Sequence, residues 1–582
     1  HYALHRRVEL WQMIQEVNTG DFVWATGDER QLRKTLDDIE ALFATSANGA
    51  GWKSYLLFDD LTTLWKDSPV NADQRRLAAR RVLERLSGPS LVPSQKKFLE
   101  RPVFQSLAYQ LRGWASEPID YQELLGVAED YESDPTSKGS RKLADSIQKL
   151  RWSNNEVAER LADHLEISYR NANARVSISA ELIHRLLPVQ GSERRRVNER
   201  ILGTPVTGSS VNEHDLYIQL LPDPRNIQLG IVARGVIDSR THSDVGPVRL
   251  HNRGRTRFEA TQMLILGRDG FRLPDPQSSA SGDSELTDVE SDLDLVPILG
   301  SLLRTFATHQ HDEVRSHAKR EMELKVARRA ACELHQTIST KLDEAELRLE
   351  QELIVPLKRL KLDPVAIDLR TTDRRVVARY RLAGEDQLAA HTPRPIAPSD
   401  SWLSIQLHES ALNNALSHMN LAGERIAIDE LYRRIVASTS GNVVADHDLP
   451  ADLPNNVFVT FDPVDPIRVR LDEGRIHLQL RIVELENPRN WWGEFVLSTS
   501  YAPTTEDGVP ALKRDSIIDL DGDFSTLERL PLRAIFNAVF PKNKPLSLVG
   551  PELRNDSRLG DLKVNQFVVI DGWLGIALNG DN

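Results

Sequence analysis

The stretch SIQLHESALNNALSHM, Ser404 to Met419, changes period part-way along. Counting from Leu403, apolar residues first alternate (Leu403, Ile405, Leu407). They then recur at helical spacing (Ala411, Leu412, Ala415, Leu416), which predicts a short strand running straight into a helix. The same change occurs earlier, where Val176 and Ile178 alternate and Leu182, Ile183, Leu186 and Leu187 follow at helical spacing. Laid side by side, Val176 matches Ile405, Leu182 matches Ala411 and Leu187 matches Leu416, so one opening is used twice.

Working outward, a chain of 582 residues implies three to four domains, and 40% apolar with 27% charged residues is the balance of a folded, soluble protein. The net charge of −12 argues against nucleic acid as a partner, because phosphate contacts need clustered Lys and Arg. The single cysteine, Cys332, excludes intramolecular disulfides and CxxC metal sites, and its Ala-rich surroundings predict a buried thiol. No apolar run approaches the roughly 20 residues that span a bilayer. The first residue is His, which fits removal of a leader and an exported, periplasmic or envelope-associated protein, with any tether lying before His1.

Residues 1–168 read as an all-α domain. Asp28 and Gln31 resemble a capping box ahead of Leu32, Leu36, Ile39 and Phe43 on one face. Pro102 suits the first turn of a helix carrying Val103, Leu107, Leu111 and Trp114 inward. Six tryptophans in this part predict an aromatic core.

Residues 169–392 then form a first unit. Leu216, Ile218 and Leu220, followed after Pro222-Asp223-Pro224 by Ile227, Leu229 and Ile231, predict a hairpin with one apolar face. The Ser-rich, acidic residues 275–294 read as a mobile excursion. Between Pro297 and about Leu353 there is no further proline and one glycine, predicting a helix of up to about 80 Å, with a break near Thr337–Thr340. Ile338, Leu342, Ala345 and Leu349 make a narrow apolar seam for the sheet. A hairpin of Val365 to Tyr380 closes the unit.

Residues 393–400, with Pro393, Pro395 and Pro398, read as a linker, and 401–582 as a second, shorter unit of the same order. Its meander places Ile476, Leu478, Leu480 and Ile482 on one strand face, with Phe495 and Leu497 on the next strand. A helix carrying Leu532, Ile535, Phe536 and Val539 follows, and a hairpin turning at Asp571-Gly572 ends the chain. The fold class is α+β: a helical domain, then two tandem curved antiparallel sheets, each packed on a helix.

This order in residues 170–582, a strand-helix opening as in Ser404–Met419, a meander, a long helix and closing strands like Val564–Leu578, resembles the tubular lipid-binding superfamily of bactericidal/permeability-increasing protein-like folds. The whole chain also resembles large bacterial exported proteins with the same Ala411–Leu416 run. The superfamily resemblance implies a non-enzymatic protein that binds or transfers lipid, or another long apolar ligand, in troughs between helix and curved sheet. The trough residues would be Ile227, Leu229 and Ile231 in the first unit, and Ile476, Leu478, Leu480, Ile482, Phe495 and Leu497 in the second, whose shorter helix leaves more room. The competing reading is an envelope scaffold whose troughs are filled by its own side chains.

Polar clusters read as surface. His309 and His311 stand two residues apart on a helix and point to different sides, so no metal is expected there. Asp519, Asp521 and Asp523 lack the closing Glu of a calcium loop. Arg194–Arg196 and the basic residues from Lys319 to Arg329 are diluted by Glu. Trp491-Trp492 should put one ring in the core and one at the edge, where it would suit a membrane surface or an envelope partner. GxSxG, GxxxxGK[ST] and HExxH do not occur, so neither a cofactor nor a catalytic residue is assigned.

Overall fold

A computed structural model describes residues 2–580 except 20–26, 47, 67–70, 89–90, 116–118, 154, 187–190, 246–247, 269, 292–296, 361, 441–452, 507 and 549–557. The side chains of residues 297–314, His309 and His311 among them, also lie outside the description.

The N-terminal region is helical and holds two cores. In Glu29–Thr45, capped by Asp28, the residues Leu32, Leu36, Ile39 and Phe43 are buried against Trp65, Phe104 and Leu107. Trp52 stacks on Phe98 at 4.8 Å and Trp65 meets Trp114 edge-on at 5.6 Å. The second core joins Tyr2–Thr19 to the helices between Tyr121 and Tyr169, through Leu10, Ile14, Leu124, Leu161 and Leu165. Trp11 stands exposed, outside both.

The two openings lie side by side. Strands Ala174–Ser179 and Leu403–His408 pair antiparallel with Val176 opposite Ile405, the very residues that match in sequence, so a local two-fold axis runs between them. Each is flanked by its own unit's closing hairpin: Arg375–Ala383 and Asp363–Thr371 on one side, Trp573–Asn579 and Lys563–Ile570 on the other. The result is one six-stranded central sheet to which both units contribute. Asp571 and Gly572 both have positive φ, as the predicted tight turn requires.

The first curled sheet runs through Gly191–Ile201, Thr204–Leu220, Ile227–Val245 and Val248–Gly267, with Ile218 opposite Ile231 as the hairpin pattern predicts. The stretch expected as a mobile excursion is instead the strand Gln277–Ser291, paired with Val248–Thr261. Its alternate side chains, such as Ala280 and Leu286, face the interior while the acidic ones face water. Composition alone hid that alternation.

The helix Pro297–Leu349 closes this sheet into a barrel by bonding to both of its edges. On one edge Arg329 pairs with Glu199 at 3.2 Å and Arg195 pairs with Glu333. On the other Lys319 pairs with Asp283 at 3.0 Å, and Gly282 N–H donates to Glu323 at 3.0 Å. The helix does not break at Thr337–Thr340. Both hydroxyls bond back to carbonyls four residues earlier, and the irregularity is a π turn at Glu350–Ile354, before Pro356. The core-facing seam is Ala327, Ala331, Leu334 and Ile338, so the predicted seam is buried only at its first residue. Cys332 lies off that seam and is exposed, not buried as expected.

The second curled sheet is built on Ile467–Asp472, Arg475–Glu486, Phe495–Glu506 and Val509–Arg514. Trp492 is buried and Trp491 is 64% exposed, following the strand alternation. Asp519–Gly522 is a strand on Phe495–Ser498, with Asp519 and Asp521 facing out.

Candidate functional site

The nine residues assigned to the troughs divide between closed cores. Leu480, Ile482, Phe495 and Leu497 are buried against Leu532 and Phe536 of Thr526–Val539, together with Ile426 and Val459 of neighbouring strands in the same sheet. Phe495 meets the Phe536 ring at 6.2 Å and the Phe524 ring at 5.4 Å. Ile476 packs with Leu471, Tyr501 and Val569, and half-buried Leu478 bridges the two clusters. In the first unit Ile227 and Leu229 pack with Leu369 and Val376 of the central sheet, while Ile231 packs under Leu334 and Ile338 of the long helix.

Between these cores lies a surface made of neither trough. Residues opposite one another in a sheet share a face, and the central sheet's register puts three rows on one side. They are Ala174, Leu407, Leu574 and Tyr380; Val176, Ile405, Ile576 and Ala378; and Ile178, Leu403, Leu578 and Val376. The other side carries Ser177, Ser404, Gln406 and His408, all buried. Segment 387–401 covers that polar side: Gln406 donates to Pro395 O at 2.6 Å and Trp573 donates to Thr392 O at 3.1 Å. Leu388, Ala389, Ala390 and His391 are themselves buried, so the stretch around the predicted linker packs as structure.

The aliphatic side is only partly covered. Val376 and Leu574, at opposite ends, join the flanking cores. Val176, Ile178, Leu403, Leu407, Ile576 and Leu578 are half-buried, and Ile405, beside the two-fold axis, is 43% exposed. No charge interrupts the rows. The one ionisable group is the Tyr380 hydroxyl, which burial pushes up, so it stays neutral. Contiguous apolar surface of this kind marks an interaction site more reliably than scattered exposed leucines do.

The long helix also carries apolar side chains that no core among the described residues takes up. Leu349 lies about 20° round the helix from Ile338, so the predicted seam keeps its inward direction beyond the sheet that buries Ile338. Yet Leu342 is half-buried and Leu349 is 44% exposed. Further on, Leu360 packs against the second unit's core. The segment between is thus anchored in both units, with its apolar edge unpacked.

Sequence reading missed the central face because it gave each opening strand to its own unit. The signal was present: the residues between the aliphatic ones are Ser177, Ser404 and Gln406, an alternation that marks a sheet with two different sides.

Concavities also occur elsewhere among the described residues. One of about 130 Å³, where the helical region meets the sheets, is lined by Tyr131, His391, His408 and Glu409 among others. Burial, then the nearby Arg6 guanidinium, holds the His391 imidazole down to about 4. Burial likewise depresses His408, aided by His391, and raises the Glu409 carboxyl. Another, about 880 Å³, lies along the first curled sheet beside His214, Gly235 and Phe258. A Cβ on Gly235 would come within 2.6 Å of the Phe258 ring, so glycine is what lets that ring lie across the strand. Among the described residues, no three His, Cys, Asp or Glu side chains are placed to hold a metal, and no helix is long and apolar enough to cross a membrane.

No family model matches the chain, and no curated protein matches it. Among solved structures, a crystal structure of lipopolysaccharide binding protein aligns with 71% of this chain and 99% of its own, at 11% identity and a TM-score of 0.28. Superposition that loose transfers no residue or ligand from one chain to the other.

Proposed function

We propose that this protein binds a lipid, or another long apolar molecule, lengthwise on the aliphatic face of the central sheet. The observation that carries the reading is the uncharged, part-exposed surface around Ile405, open between two filled cores. Leu478, packed near Leu574, and Leu229, packed near Val376, would form the ends. The role is one of binding or transfer without chemistry, in an exported or envelope-associated protein.

A photoactivatable fatty acid incubated with the whole chain tests this. Label is expected on Ala174–Ser179, Leu403–His408 and Trp573–Asn579, and Ile405→Asp should weaken uptake about tenfold or more, the equivalent of about 1.4 kcal/mol. Because Ile405 is part-exposed, folding should survive. Label confined to other surfaces, or undiminished uptake by folded Ile405→Asp protein, rejects the site. A second reading, a self-filled scaffold without ligand, is favoured by the closed packing of Leu480, Ile482, Phe495 and Leu497. Native mass spectrometry of the purified chain separates the two, since the scaffold carries no lipid.

A further inference from the structure

The polar side of the central sheet holds more positive charge than its neighbours compensate. Arg175 and Arg379 stand directly opposite each other on adjacent strands, an arrangement that like charges destabilise. Arg379 in turn faces Asp368, whose carboxylate lies 3.8 Å from both Arg379 and Arg370. Among the described residues Asp368 is the only carboxylate ion-paired with this group. Arg394, from the segment covering the sheet, acts on Arg175, and Arg394 makes no hydrogen bond or ion pair among the described residues. The remaining partners are neutral. Arg175 Nη1 donates to Gln406 Oε1 at 3.1 Å, and Arg379 Nη2 donates to Asn171 Oδ1 at 2.8 Å. Arg175 Nε is buried with no acceptor.

We infer that Arg175, Arg370, Arg379 and Arg394 form a binding site for a phosphate-type oxyanion, either free or carried by a lipid headgroup. Four forked guanidiniums against one carboxylate offer the planar, multiply donating surface that tetrahedral oxyanions take. A partly buried cation without a counter-charge is costly, and an anion from solution removes that cost. Burial, followed by Arg394 and Arg370, holds the Arg175 guanidinium down to about 10, which an anion would reverse. The site is reachable from water, since Arg370 and Arg394 are exposed. It lies across the sheet from the aliphatic face and does not depend on that face binding lipid.

The test uses the whole chain and its Arg394→Gln and Arg370→Gln variants, with Arg253→Gln, an exposed arginine of the first curled sheet, as the control. Sodium phosphate should raise the thermal midpoint of the wild type and of Arg253→Gln above that in sodium chloride of equal ionic strength. The increment should vanish in Arg394→Gln and Arg370→Gln. Without phosphate, Arg394→Gln should melt at or above the wild-type temperature, because a repulsive charge has been removed. In a second arm, vesicles containing phosphatidic acid are sedimented with each protein. Retention lost in Arg394→Gln, with no response to inorganic phosphate, assigns the headgroup as the ligand. If neither phosphate nor vesicles discriminate Arg394→Gln and Arg370→Gln from Arg253→Gln, the inference is overturned.

Discussion

Both curled sheets lie between an opening strand-helix and a closing hairpin, but the second, which adds the helix Ile428–Ser440, is packed with hydrocarbon along its middle rows and the first is not. In the second, the inner rows are Leu480 beside Leu497 and Ile482 beside Phe495, closed by Leu532 and Phe536. In the first, rows near the central sheet are aliphatic, the middle ones read Ser210, Ser239, Gly254, Ser284 and then Gly208, Thr241, Asn252, Leu286, and a small cluster of Val248, Leu250, Leu286 and Val289 lies at the far end. There the long helix is held mainly at its edges by Arg, Lys and Glu. The order of elements fixes the path of the chain, whereas side-chain volume on the inner rows decides whether the interior is filled.

The largest test of this contrast is to cut it. Residues 396–582 retain the second sheet's core but lose Ala174–Ser179, leaving one edge of Leu403–His408 unpaired. Because the two openings are related by a two-fold axis, a second copy's Leu403–His408 can occupy the vacated place. The fragment should therefore fold and dimerise, seen as a concentration-dependent mass in analytical ultracentrifugation. A molten monomer breaks the equivalence of the units.

Next in size is a core substitution in the sealed sheet. Phe495→Ala removes a ring packed on Phe524 and Phe536 and should cost about 3–5 kcal/mol in the urea transition of the second unit. A cost under about 1 kcal/mol would mean that this core is not closely packed.

The joint between the units should respond to pH. His391 and His408 are kept neutral by burial, with His391 at about 4, whereas in the unfolded chain each protonates near its ordinary value of about 6.5. Their contribution is therefore complete above about pH 6.5 and is lost as pH falls towards 4, by at most about 1.4 kcal/mol per unit for each histidine. Glu409 is raised by burial and works in the opposite direction, relieving its own penalty as it protonates. Urea titrations at pH 7 and pH 5 should show the loss, reduced in His391→Gln; equal slopes would place the pH dependence elsewhere.

The smallest effect separates the packed and unpacked parts of one helix. Leu342→Asp should cost under about 1 kcal/mol, because the half-buried side chain remains within reach of water, while Leu334→Asp, buried under the first sheet, should cost about 3 kcal/mol or more. Equal costs in thermal unfolding would mean that the seam packs over its whole length.

What the sequence determined by itself is local. Periodicity located most helices and strands, the two openings stood out by their shared change of period, and Asp-Gly placed a turn at 571–572, where positive φ is observed. These features depend on neighbours a few residues apart, whose spacing sets which face a side chain takes. The strand Gln277–Ser291 escaped because charged and serine side chains on its outer face outweighed the few apolar ones turned inward. Tertiary structure alone decided that Val176 meets Ile405 from 229 residues away, so that two apolar strand faces become one part-exposed face. It also brought Arg394 over Arg175, and it sealed the trough of the second unit while leaving the seam at Leu349 unpacked. Each of these outcomes depends on which surfaces remain after distant segments pair, a quantity that no local window of sequence contains.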